Sequence, residues 1–100
     1  MVKHVILWKL KAELSAGEKS SVKQGIKSAL EALAGRIPGL VDIKVNIDGL
    51  DSSTADCMLD STFTDENALK NYSKNPIHQD AANTFVRPFV ETRLCLDFNI

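Results

Sequence analysis

The chain has 100 residues, of which 44% are hydrophobic and 25% charged, and its net charge is −1. These values describe one folded globular domain over residues 1–100 and exclude a disordered chain. They also argue against a nucleic-acid surface, which needs a basic excess on one face, and no apolar run approaches the ~20 residues that cross a bilayer.

The first element is a strand. VKHVILWKL is rich in β-branched and aromatic residues and runs into a charged turn. Val2, His4, Ile6, Trp8 and Leu10 share one face, while Val5 and Leu7 make the opposite face apolar as well. A strand apolar on both sides is expected to be buried on both sides. Lys3, Lys9 and Lys11 are followed closely by Glu13 and Glu18, which reads as a solvated face.

A helix follows. Ser15 and Glu18 have capping-box spacing, in which each side chain satisfies a free backbone N–H of the first turn. Val22, Ile26, Ala29, Leu30 and Leu33 then recur at helical spacing as one apolar stripe. Gly35 suits the left-handed residue that ends a helix, and Pro38-Gly39 suits a turn. Gly25 inside the helix costs about 1 kcal/mol relative to alanine.

VDIKVNID alternates strictly, with Val41, Ile43, Val45 and Ile47 on one face, and predicts a second strand. GLDSSTAD is a polar loop and CMLDSTF a third strand. Thr64 is the expected cap of a short helix with Asp65 and Glu66 in its first turn and Ala68, Leu69 and Tyr72 on its inner side. Asn75-Pro76 ends that helix and starts another, with Asn75 as cap and Pro76 at the first helical position. The last strand runs from about Val90 to Ile100 and carries Leu94, Leu96 and Phe98 on one face.

The resulting order, β-α-β-β-α-β with a break at Pro76, is the ferredoxin-like arrangement: a four-stranded antiparallel sheet with helices on one side. Its usual strand order sets the third and fourth strands beside the first. Cys57 and Cys95 then stand two strand spacings apart, roughly 9–10 Å, beyond disulfide reach. Both read as buried, inert thiols. With no paired cysteine spacing and no charged-then-apolar leader, a reduced cytoplasmic setting is expected. The uncovered sheet face, with Val5 and Leu7, favours association. A homodimer packed through the open sheet faces, closing a barrel-like core, is the expected solution.

VKHVILWKLK, IPGL, YSKNPIHQ and the final LCLDF together resemble the stress-responsive A/B barrel (Dabb) family over nearly the whole chain. The resemblance implies a dimeric α+β barrel. It also implies a small-molecule pocket like that of the family's plant olivetolic acid cyclase, which closes a polyketide ring by aldol condensation without metal or organic cofactor. On the matching motifs, the resemblance assigns catalysis to Tyr72 and His78, with His4 on the first strand and Asp97 on the last strand as binding or orienting residues. The chain departs from that cyclase in the smaller Val22, Gly25 and Ile26 of its first helix and in one extra residue between His78 and Asp97. The substrate is therefore not carried over. Other members are stable oligomeric stress proteins, so a non-catalytic stress-response or ligand-binding oligomer is the alternative reading.

The residues support a site independently of that resemblance. With Asn75 as cap, His78 lies in a first helical turn, where the helix dipole disfavours imidazolium. Ala82 and Phe85 share its helical face, so apolar surroundings and a lowered pKa are expected. A neutral imidazole accepts a proton, and the Tyr72 phenol just before the break polarises a carbonyl, a combination suited to enolisation. Ile6 and Trp8 are the expected apolar wall, with a small carbonyl or aromatic ligand. The competing reading makes both aromatic residues packing and His4 a satisfied core histidine. Asp97 faces either the helices, beside a histidine, or the opposite side of the sheet. No ligand spacing supports a metal site built from His4, His78 and a carboxylate, and no cofactor is expected.

Overall fold

A computed structural model describes residues 1–100. Strand β1 spans Val2–Leu10, helix α1 Ala16–Glu31, β2 Leu40–Asn46, β3 Cys57–Phe63, α2 Glu66–Lys74, α3 Pro76–Phe85 and β4 Val90–Asn99, with one 3-10 turn at Arg87–Phe89. The strands form one antiparallel sheet in the order β2-β3-β1-β4. The helices cover one face. No helix is long and apolar enough to cross a membrane.

The alternation of β1 builds the core. Val2, His4, Ile6, Trp8 and Leu10 are all buried beneath the helices. Leu59 and Phe63 of β3, Ile43 and Val45 of β2 and Ile26 and Leu30 of α1 close around them. Burying each such side chain is worth about 2 kcal/mol against leaving it in water. Helix α1 begins at the capping box, with Glu18 N–H donating to Ser15 Oγ at 3.1 Å and Ser15 N–H donating to Glu18 Oε1 at 3.0 Å.

Four local expectations are corrected. Asp65, rather than Thr64, caps α2, its carboxylate accepting from Ala68 N–H at 2.8 Å. A carboxylate one residue closer to the helix meets both the free N–H groups and the helix dipole. Val41 leaves the apolar face of β2 because the register shifts between Leu40 and Asp42, so Leu40 pairs with Phe63 and Val41 bulges outward, half exposed. Cys57 is buried as expected, but Cys95 is exposed, because the helices do not extend over β4. Phe85 does not join His78 in a common pocket; it reaches α1, where its ring lies against Gly25, 3.4 Å from where a Cβ would stand.

The barrel expectation is overturned by the sheet itself. β2 and β4 are its two edges and do not pair, so the sheet is open. Four strands are too few to close around a packed interior, which takes about eight. The uncovered face is also not uniformly apolar. Its β1–β4 half carries the cross-strand pairs Leu7–Leu94 and Val5–Leu96, with Phe98 opposite Lys3. Its other half carries Asp42, Lys44 and Asp60, and Lys3 Nζ donates to Asp60 at 2.8 Å. Leu94 and Leu96 are 63% and 65% exposed.

The turn into β2 places a specific demand on Gly39. Its φ is +80°, and a Cβ there would meet the Ala68 Cβ at 2.4 Å, whereas Gly35, with φ +77°, has open space around it. Gly35→Ala should cost about 1 kcal/mol from backbone conformation alone. Gly39→Ala should cost that plus about 1–3 kcal/mol of overpacking. Equilibrium urea unfolding of the two variants should separate them, and equal losses would refute the close approach of the turn to α2.

Candidate functional site

The Asn75-Pro76 break turns α2 into α3 over the sheet and sets Tyr72 and His78 side by side. Asn75 serves as cap of α3, accepting from Ile77 N–H at 2.9 Å, with Pro76 at the start. The Tyr72 and His78 rings lie with centroids 4.0 Å apart and planes inclined by 38°. Tyr72 is 2% exposed and also packs against Phe63, at 4.9 Å between centroids, and against the edge of His4, at 6.2 Å.

These rings line a cavity of about 330 Å³ between helices and sheet, whose floor includes His4, Ile6, Trp8 and Leu59. That volume sits at the small end of the roughly 300–1,000 Å³ typical of small-molecule sites. Two buried polar atoms, Tyr72 Oη and His78 Nδ1, have no hydrogen-bonding partner in the protein. Such orphaned groups cost about 1–3 kcal/mol each unless something satisfies them. Arg87 and Arg93 line the same cavity. Neither forms an ion pair with a carboxylate, although Glu91 is also part of the lining.

The electrostatics keep both aromatic groups neutral. Burial pushes the Tyr72 phenol up to about 12, so it remains a donor. Burial, followed by the neighbouring charges of Arg87, His4 and Arg93, holds His78 down at about 4. The lowering matches the sequence-based direction, but its main source is desolvation rather than the helix terminus.

His4 and Asp97 face each other in register across β1 and β4, and His4 Nδ1 lies 2.5 Å from Asp97 Oδ1. An ionised carboxylate only accepts, so Nδ1 is the donor of this contact. Of the two orientations open for Asp97, the helix side is therefore the one adopted. Leu94, Leu96 and Phe98 face the open side.

Asp97 does not line the Tyr72–His78 cavity. It borders a more open groove of about 610 Å³, which shares His4, Leu69, Ser73 and Arg93 with the cavity. Thus Tyr72, His78, His4, Ile6 and Trp8 meet at one cavity, and Asp97 reaches it only through His4. Sequence reasoning missed Arg87, Arg93 and Cys95. The antiparallel register of β4 against Trp8 and Ile6 would have placed Arg93 and Cys95 on the helix side.

Fold and site together define a ferredoxin-like α+β chain with a small pocket under its second helical layer. The chain belongs to the stress-responsive A/B barrel domain (Dabb) family, whose model matches residues 2–100. A dimeric protein of ferredoxin-like fold from Bacteroides fragilis is 30% identical, with a TM-score of 0.92 over 99% of this chain and 95% of that one. A dimeric ferredoxin-like protein from Thermobifida fusca is 20% identical, with a TM-score of 0.82 over 99% and 90% of the two chains. Hydroxynitrile lyase from Passiflora edulis is 19% identical, with a TM-score of 0.72 over 99% and 92%. The last two likenesses are of fold. No curated protein matches the sequence.

A folded His78 that protonates near 4, against ~6.5 in the unfolded chain, makes the unfolded state bind more protons between those values. Its neutral form therefore favours the folded state at neutral pH, and that contribution is lost as pH falls from about 6.5 toward about 4. The parent should lose more melting temperature over this window than His78→Gln. Parallel curves for the two proteins, or an NMR titration of His78 at or above the ordinary value, would contradict the burial argument.

Proposed function

We propose that this protein is a small homodimer that binds an anionic carbonyl compound in the Tyr72–His78 cavity. The observation carrying this reading is the pair of orphaned polar atoms, Tyr72 Oη and His78 Nδ1, on two residues that line a largely apolar cavity. A carbonyl oxygen accepts from the Tyr72 phenol. Arg87 and Arg93 supply the positive field for a carboxylate, and Ile6 and Trp8 pack against the carbon skeleton. His4, oriented by Asp97, completes the polar side of the wall.

Binding is favoured over catalysis by the magnitude of the His78 shift. A general base works best with a pKa near the working pH, and one near 4 draws a proton weakly. Enolisation is the second reading, supported by the adjacency of the Tyr72 and His78 rings. A bound anion would raise the imidazole pKa by screening the guanidiniums, and Tyr72 would polarise the carbonyl while His78 took the α-proton.

Calorimetry with a panel of short aliphatic and aromatic keto acids tests the binding reading. Tyr72→Phe and His78→Ala should each weaken binding about tenfold or more, or about 1.4 kcal/mol. Tyr72→Phe should leave unliganded stability unchanged or raised, since it removes an unsatisfied hydroxyl. A sharp loss of stability in Tyr72→Phe, with no keto acid bound by the parent, would make these residues packing. Deuterium exchange at the ligand's α-carbon separates the second reading: equal rates with parent and His78→Ala would remove catalysis and leave binding standing.

The homodimer is proposed to form through the open sheet faces, on the apolar half built from Val5, Leu7, Leu94, Leu96 and Phe98. The similar chain from Bacteroides fragilis is dimeric, which supports the assembly. Leu7→Asp would bury an unpaired charge at that contact and should convert a dimer to monomer in sedimentation velocity. A monodisperse monomer for the unmodified protein would refute the assembly.

A further inference from the structure

Beside the cavity, the register of β1 and β4 brings together three side chains of metal-ligating type. His4 and Asp97 are cross-strand partners, and Cys95 lies two residues before Asp97 on the same face of β4. Cys95 Sγ is 3.8 Å from His4 Nδ1 and 3.4 Å from Asp97 Oδ1, and one ligand atom from each residue lies within 4.8 Å of the others. All three border the open groove.

We propose that His4, Cys95 and Asp97 form a three-ligand site for a borderline-soft divalent cation of the zinc type, with its fourth position facing the groove. A tetrahedral ion with ordinary Zn–N, Zn–O and Zn–S bonds holds its ligand atoms roughly 3.3–3.6 Å apart. Two of the three separations are already close to that span. The third, 2.5 Å between His4 Nδ1 and Asp97 Oδ1, is short because a proton now occupies the place of the metal. Opening it by less than ~1 Å is within reach of Asp97, whose side chain is 44% exposed on an edge strand. On metal binding His4 Nδ1 gives up its proton, the neutral imidazole carrying its hydrogen on Nε2, and the Cys95 thiol releases its proton to solvent.

The donor set selects the ion. One imidazole nitrogen, one thiolate and one carboxylate suit zinc, whereas magnesium and calcium call for oxygen ligands alone. Thiolate and carboxylate together balance a divalent charge, and Arg93, lining the same groove, then favours an anion at the fourth position. Three protein ligands with one position open is the arrangement that leaves a cation accessible to small molecules. The site shares His4 with the wall of the Tyr72–His78 cavity but uses neither Tyr72 nor His78, so cation uptake and keto-acid binding are read by separate experiments.

Cobalt(II) titration of metal-free protein tests it directly. One equivalent per chain should bind and give the intense visible bands of a four-coordinate site together with a near-ultraviolet thiolate charge-transfer band. Zinc should displace it. Cys95→Ser, at an exposed position, should fold normally, lose the charge-transfer band and bind at least tenfold more weakly; Asp97→Asn should weaken binding while retaining the band. His78→Gln should bind as the parent does. Absence of saturable uptake, a weak six-coordinate spectrum without the thiolate band, or unchanged binding by Cys95→Ser would each overturn the assignment.

Discussion

Everything functional in this chain depends on the period-two alternation of β1 as a central strand. A strand flanked on both sides has no freedom of register, because a one-residue slip would carry His4, Ile6 and Trp8 to the open face and Lys3, Val5 and Leu7 beneath the helices. The pairing of β1 with β3 on one side and β4 on the other therefore fixes three things together. It sets the cavity floor, places Asp97 opposite His4, and directs the exposed leucines of β4 away from the helices.

The cavity follows from how incompletely the helical layer covers this sheet. Helix α1 packs on the β2–β3 side, and its Lys27 and Glu31 also satisfy the outer backbone groups of Val45 on edge strand β2. The α2–α3 pair bends at Asn75-Pro76 over β1 and leaves space beneath the bend. Tyr72 and His78 occupy the roof of that space, where desolvation dominates their protonation and keeps both neutral. Two neutral groups and two guanidiniums along one cavity are the features on which the proposed anion binding rests. The same electrostatics make His78 a reluctant base.

Strand β4 behaves differently from the other strands because no helix covers it. Its helix-side residues, Arg93, Cys95 and Asp97, are held by the sheet register yet remain open to solvent. A side chain in that setting is positioned by backbone pairing and available for chemistry. On the opposite side, Leu94, Leu96 and Phe98 are also exposed, and the proposed dimer contact rests on that apolar surface. One strand thus borders a polar groove on one side and carries an apolar surface on the other.

Much of this was legible in the amino-acid sequence. Residue type and alternation located β1 and β2, the Ser15–Glu18 capping box located the start of α1, and Asn75-Pro76 located the helical break, because each depends on interactions a few residues long. The element order then restricted the strand order to the ferredoxin-like one, and the family motif singled out Tyr72 and His78. What the chain could not reveal locally is what depends on distant partners. The outward bulge of Val41 follows from the register shift between Leu40 and Asp42 against β3, and the exposure of Cys95 from helices that stop short of β4. The side taken by Asp97 is set by pairing with residues more than ninety positions away. The openness of the sheet is likewise a property of four strands in space. Local periodicity states which residues share a face; only the tertiary structure decides what, if anything, covers that face.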